Sequence, residues 1–176
     1  MYGGLPEIWK INDNNRKISY LKQRLVDTYI RDIQERHKIK NKNILFEILM
    51  YLSSIIGCYA SDSKILKTYK SKNVKINVKT LKNYLSYLED AFIIKPAIRY
   101  DVKGKKYLKR LTKYYFSDVG IRNIILDQRQ YEFNHIVENV VFNELNRRGF
   151  NVDVGNVTIH KDHKRKILEI DFVASK

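Results

Sequence analysis

The sequence has one cysteine, Cys58, two prolines and seven glycines in 176 residues. A lone cysteine closes no intrachain disulfide and builds no cysteine-rich zinc site. A secreted disulfide scaffold is therefore excluded, and a reducing cytoplasm is the expected setting. So little proline and glycine excludes collagen-like and linker-like chains. The apolar runs are interrupted by Lys, Asn or Glu well short of the ~20 residues of a membrane span. The start, Met1-Tyr2-Gly3-Gly4-Leu5-Pro6, lacks the basic and apolar regions of a signal peptide. No Gly-x-x-x-x-Gly-Lys-Ser/Thr loop is present to cradle a nucleotide phosphate, and no Gly-x-Ser-x-Gly nucleophile elbow.

What is present in excess is positive charge. Lys and Arg number 34 against 19 Asp and Glu, a net charge of +15. Residues 1–61 carry 10 basic and 6 acidic side chains, residues 62–115 carry 15 and 4, and residues 116–176 carry 9 and 9. The middle third thus holds +11 of the excess. A field focused in this way attracts a phosphate backbone by counterion release. Hydrophobic residues make up 44% of the chain, enough to fill a core and to exclude disorder throughout.

Periodicity orders the elements. Ile18, Leu21, Leu25, Tyr29 and Ile33 predict one helix over 16–36, and Leu45, Ile48, Leu49, Leu52, Ile55 and Ile56 a second, stopped by Gly57. A short helix fits residues 63–69. Asn77 is the expected N-cap of a helix over 78–91, with Val78, Leu81, Tyr84 or Leu85, and Leu88 inward. Residues 92–100 and 107–116 read as strands joined by a turn at 101–104. Three helices followed by a hairpin is the order of a winged helix-turn-helix. The 78–91 helix is then the recognition helix, and Lys79, Lys82, Asn83 and Tyr87 are candidate groove contacts. Lys103, Lys105 and Lys106 of the wing are candidate phosphate contacts. The same outward face also suits plain solvated surface, and winged helices also serve as protein-interaction modules.

In the last third, residues 117–126 predict a short helix. Residues 131–148 predict a longer one, with Ile136, Val140, Val141 and Leu145 inward and Gly149 as its stop. Strands follow over 151–154 and 166–173, with a strand edge and charged turn between them. Cys58 reads as a buried small hydrophobe, and His160 and His163 as solvated histidines rather than metal ligands. The best constellation is Glu138 on the helix with Asp171 on the strand, where residues 169, 171 and 173 share one face. Two such carboxylates suit Mg²⁺, which in a restriction-endonuclease-like site generates hydroxide for phosphodiester hydrolysis. Edge-strand carboxylates without a metal are the plainer reading. A further strand bearing Asp/Glu-x-Lys is not present.

Taken in order, Tyr2-Gly3-Gly4-Leu5-Pro6, Thr80-Leu81-Lys82-Asn83-Tyr84-Leu85-Ser86-Tyr87-Leu88-Glu89 and Tyr115-Phe116-Ser117-Asp118-Val119-Gly120-Ile121-Arg122 carry a resemblance. Val137-Glu138-Asn139-Val140-Val141-Phe142-Asn143-Glu144-Leu145, Arg148-Gly149 and Glu169-Ile170-Asp171-Phe172-Val173 complete it. The chain resembles the region C-terminal to the ATPase core in a large group of bacterial and archaeal AAA-type ATPases. That resemblance implies an α+β fold, a winged helix-turn-helix followed by a truncated restriction-endonuclease-like α/β domain. It divides the chain into the end of an ATPase lid (1–40), the winged helix (41–116) and an incomplete nuclease-like domain (117–176). It implies ATP only in a core that this sequence does not contain, Mg²⁺ as the candidate cofactor, and DNA and the parent ATPase core as partners, with no membrane. The expectation is a non-catalytic nucleic-acid-binding or regulatory module. A metal-dependent nuclease using Glu138 and Asp171, or a protein-docking module, are the alternatives.

Overall fold

A computed structural model describes residues 1–39, 41–71, 74–161 and 164–176, with the side chains of 42, 109, 110 and 161 excepted. His163 lies outside the described residues. The chain opens with a single 3-10 turn, Pro6–Lys10. A rod follows, built from α1 (Asn14–Gln23), a wider π-type stretch (Arg24–Ile30) and α2 (Arg31–Arg36). Next come α3 (Lys42–Ser54), β1 (Tyr59–Ala60), α4 (Asp62–Ser71) and α5 (Val78–Asp90). The chain then enters β2 (Ile94–Asp101) and β3 (Lys106–Phe116), then α6 (Val119–Ile125) and α7 (Phe133–Arg147), and finishes in β4 (Asn151–Lys161) and β5 (Lys164–Ser175). The fold class is α+β.

Short polar side chains set the helix starts. Asp13, Asn41, Asn77 and Asp118 accept hydrogen bonds from the backbone N–H of Arg16, Ile44, Thr80 and Ile121. Each satisfies a donor that the first helical turn leaves unpaired. Behind the caps lies one large core. Leu21, Leu25 and Ile33 of the rod meet Leu45, Ile48, Leu49 and Leu52 of α3 and Leu81, Leu85 and Leu88 of α5. The expected stripes therefore hold. Both Tyr84 and Leu85 are inward, whereas Val78 is 47% exposed, because the first turn of α5 projects beyond the core.

Five strands form one mixed sheet in the order β1-β3-β2-β4-β5. The expected wing is the β2–β3 hairpin, and β1 lies outside it, with Tyr59 opposite Lys113 and Ala60 opposite Thr112. β2 also pairs in parallel with β4, Arg99–Asp101 against Val154–Asn156. Hydrogen bonding thus runs without a break across the boundary expected at 116/117. A second, smaller core of Ala97, Tyr115, Phe142, Val152 and Val154 lies between sheet and α7.

Two expectations for the last third change, and one for Cys58. β4 and β5 are one long hairpin rather than two short strands around an irregular segment, because cross-strand pairing continues from Asn151↔Ser175 to Lys161↔Lys164. α7 does not bury Val140 and Val141, which are 50% and 43% exposed; it buries Asn139 and Phe142. The reason is specific. Asn139 Oδ1 accepts from the Phe116 N–H and Asn139 Nδ2 donates to the Phe116 carbonyl, both at 2.7 Å. That pair of bonds fixes which face of α7 meets the sheet. Cys58, expected inside, is exposed, because the turn at Gly57 (φ 73°) points it away from α3's packed face.

The N-terminal Gly-Gly motif docks on the start of α6. Gly4 N–H donates to Asp118 Oδ2 at 2.7 Å, and Asn123 Nδ2 donates to the Met1 carbonyl at 2.9 Å. Beneath it, Arg122 is fully buried and bonds the carbonyls of Ser53 and Gln130 and the carboxylate of Glu132.

Candidate functional site

α5 presents Lys79, Lys82 and Asn83 to solvent on the side opposite its buried leucines. Lys82 Nζ lies 3.8 Å from Asp62, a loose and exposed pair of little strength. Tyr87 is placed differently. It is half-buried and stacks on His37, with ring centroids 3.6 Å apart and planes 9° apart. It therefore braces α5 against the end of α2 rather than projecting from the helix. In the β2–β3 hairpin Lys103, Lys105 and Lys106 are all exposed, and Asp101 closes the turn by accepting from the Gly104 N–H at 3.0 Å.

Asp171 is exposed on β5, yet close enough to act on the Tyr115 phenol whose hydroxyl bonds Glu138. Glu138 is joined to Glu169 through Lys113 of β3. Lys113 Nζ donates to Glu138 Oε1 at 2.9 Å and to Glu169 Oε1 at 2.6 Å. Tyr115 Oη donates to the same Glu138 oxygen at 2.5 Å, and His135 Nδ1 lies 3.4 Å from its other oxygen. The register of β4 and β5 shifts between Asp153↔Val173 and Gly155↔Ile170, leaving β5 with one extra residue. This bulge breaks the alternation that would align 169, 171 and 173. It sends Phe172 against Tyr115 and Phe142 and leaves Asp171 exposed.

Burial and pairing compete at this cluster. Burial pulls the Lys113 ammonium toward neutrality, but the hydrogen bonds it donates to Glu138 and Glu169 outweigh it, and the net displacement is above the usual lysine value. Burial raises the Glu138 carboxyl, and the bonds from Lys113 and Tyr115 more than reverse this, so it sits below the usual carboxylate range. Burial first, and then the bond to Glu138, push the Tyr115 phenol far above its ordinary value. All three groups keep fixed protonation states near neutrality. An Mg²⁺ at Glu138 would compete with the ammonium that already holds this carboxylate. Among the described residues no group of three His, Cys, Asp or Glu side chains is placed to hold a metal ion.

Lys113 was missed in the sequence because lysine is normally an exposed residue. The available signal was its strand parity: Lys113 and Tyr115 share a face of β3, and Tyr115 is buried. Around it the network widens. The ammonium lies 5.4 Å and the Arg99 guanidinium 5.2 Å from the centroid of the Tyr59 ring. Arg99 also donates to Asn156 Oδ1, and Asn156 Nδ2 donates to Tyr59 Oη at 3.0 Å.

Comparison with known proteins places these features in context. Over 175 residues, 99% of the chain, the sequence is 35% identical to an uncharacterized protein of Haemophilus influenzae, covering 42% of that protein. It is 36% identical over 175 residues, 98% of the chain, to the uncharacterized protein MJ1544 of Methanocaldococcus jannaschii, covering 37% of it. The chain thus spans about two fifths of the length of these relatives. No solved structure matches it. Among the described residues, no helix is long and apolar enough to cross a membrane. A family model matches residues 1–132, from the Gly-Gly motif through the helical core, the β2–β3 hairpin and Lys113 to the end of the α6–α7 connection. By that match the chain belongs to the family described as domain of unknown function DUF8612.

Proposed function

We propose that this chain is a non-catalytic nucleic-acid-binding module of a longer protein, with α5 and the β2–β3 wing as its contact surface. The observation that carries the reading is the placement of Lys79, Lys82, Lys103, Lys105 and Lys106 in solvent on these two elements, within the third of the chain that holds the +11 excess. The order α3-β1-α4-α5-β2-β3, with β1 beside β3, supports a winged helix-turn-helix. The resemblance to the region following an AAA-type ATPase core supports a setting in which ATP is hydrolysed elsewhere in the longer protein. The Lys113 bridge argues against the nuclease alternative, since a metal at Glu138 would have to displace a buried ammonium.

Fluorescence anisotropy with labelled duplex DNA at low salt tests the reading. Neutralising roughly four phosphates gives a log–log salt slope of about −3 to −4. Lys79→Ala with Lys82→Ala weakens binding across sequences alike. No interaction at low salt would overturn the proposal.

The docking alternative has its own support in α7. Phe133, Val137, Val140 and Val141 recur at helical spacing and are 74%, 43%, 50% and 43% exposed. Such a stripe is ordinarily covered.

A further inference from the structure

The β2–β3 wing and the β4–β5 hairpin leave the sheet at the same end. β2 and β4 run in parallel and pair only at Arg99–Asp101 with Val154–Asn156. Their last shared bond is from the Val102 N–H to the Asn156 carbonyl. Beyond it β2 turns into the wing, while β4 continues to Lys161 and β5 returns from Lys164. The two ribbons therefore diverge, and a cleft of about 530 Å³ opens between them.

The lining of this cleft is cationic and aromatic. Arg99 forms its inner end, held by its bonds to Asn156 Oδ1. Lys106 stands on the wing side and Arg165 on the β5 side, both exposed. Tyr107 is 55% exposed and is set edge-on against Tyr100, with centroids 5.3 Å apart, so its orientation is fixed while much of its surface remains in water. Asp101, a carboxylate of the lining, is already engaged by the Gly104 N–H. Lys164 and Lys166, also exposed, alternate to the opposite face of β5.

We propose that this cleft seats single-stranded nucleic acid, as a second contact surface separate from the face of α5. Cations that track a backbone, beside a ring on which a base can stack, are the pairing of groups that single strands require. The size decides between strand and duplex. A few hundred Å³ is the scale of a small-molecule pocket and admits one or two nucleotides, whereas a duplex would have to lie across the mouth. DNA and RNA single strands share this chemistry, and both serve as probes.

The test uses the full chain with labelled oligo(dT), labelled oligo(U) and labelled duplex DNA, read by anisotropy. Arg165→Glu is expected to weaken oligo(dT) binding by about tenfold or more, the effect of losing a charged contact. Tyr107→Ala is expected to weaken it by about fivefold or more, the effect of losing one stacked base. Circular dichroism checks that both variants remain folded. Duplex binding changes little in either variant, whereas Lys79→Ala with Lys82→Ala lowers duplex binding and spares oligo(dT). Equal losses of oligo(U) and oligo(dT) identify a seat for either strand, and a loss of only one assigns the cleft to that polymer. Oligo(dT) and oligo(U) binding unaffected by Arg165→Glu and Tyr107→Ala overturns the cleft proposal, as does failure of either oligomer to bind wild type. Duplex binding in those cases leaves the α5 reading standing. Parallel loss of duplex and single strand in the α5 variant also overturns it, by showing one surface instead of two.

Discussion

Lys113 and Glu138 meet at 2.9 Å with side-chain exposures of 4% and 13%, so a strand lysine and a helix glutamate share a nearly dry contact. The lysine also reaches Glu169 at 2.6 Å and so ties β3, α7 and β5 together. Removing one partner of a buried pair leaves the other uncompensated, which is worse than never having the pair.

Lys113→Met should therefore destabilise the fold by about 3 kcal/mol, the low end for a broken buried pair, because Glu169 remains partly in water. The pH dependence should change sign with it. Glu138 titrates below its unfolded value of 4.5 in wild type, so its contribution is present above that pH and is lost on acidification. Lys113 titrates above its unfolded value of 10.5, so its contribution is present below that pH and is lost as pH rises further. In Lys113→Met, burial of Glu138 is left without the ammonium, and the variant should gain stability on acidification from about pH 7 to about pH 4, a window over most of which wild type keeps the Glu138 contribution. Urea midpoints at the two pH values check this.

Leu52→Ala tests the helical core. Leu52 is fully buried on α3 beside Leu49, Leu85 and Leu88. Loss of transfer energy plus a residual cavity should cost about 2–5 kcal/mol. An unchanged denaturation midpoint would contradict the packing.

Asn139→Ala should orphan the Phe116 N–H. The Phe116 carbonyl keeps a donor, since Asn143 Nδ2 reaches it at 2.9 Å. The cost is that of one buried unpaired donor, about 1–3 kcal/mol. Asn139→Asp keeps the acceptor but loses the donor and buries a charge, so it should be the more damaging substitution at neutral pH. Thermal unfolding of both variants gives the order.

Gly120→Ala and Gly149→Ala separate close approach from backbone conformation. A Cβ at 120 would stand 2.1 Å from the Tyr2 carbonyl oxygen and 2.7 Å from the Gly3 nitrogen, so the N-terminal segment must leave its seat on α6. Limited proteolysis should then cut near the N-terminus. A Cβ at 149 would meet nothing within 4 Å, but its φ of +81° costs an alanine about 1 kcal/mol. That variant should lose stability with no new cleavage site.

Much of the helical half is legible locally. Leu81, Leu85 and Leu88, Asn77 as cap and Gly57 as stop are read from periodicity and turn chemistry, because these signals act within one or two turns. Periodicity failed at α7. Of the expected stripe of Ile136, Val140, Val141 and Leu145, Leu145 packs against the smaller core while Val140 and Val141 are exposed, because Asn139 turns its face to the backbone of Phe116, 23 residues earlier. Strand alternation failed at β5 because a bulge is a property of two strands in register, and Gly155 permits it by allowing Ile170 and Val173 close to the β4 backbone.

The sequence by itself determined the α+β class, the concentration of positive charge between 62 and 115, the helix caps and the inward leucines. Each depends on neighbours along the chain or on simple composition. The tertiary structure alone decided that Lys113 lies between Glu138 and Glu169, that Asp171 is exposed on β5, and that the β2–β3 and β4–β5 hairpins leave the sheet together. Those relationships join residues 25 and 56 positions apart, or two hairpins in one sheet. Such contacts form because burying a charge is tolerable only with a partner beside it, and the fold rather than the local sequence brings that partner there.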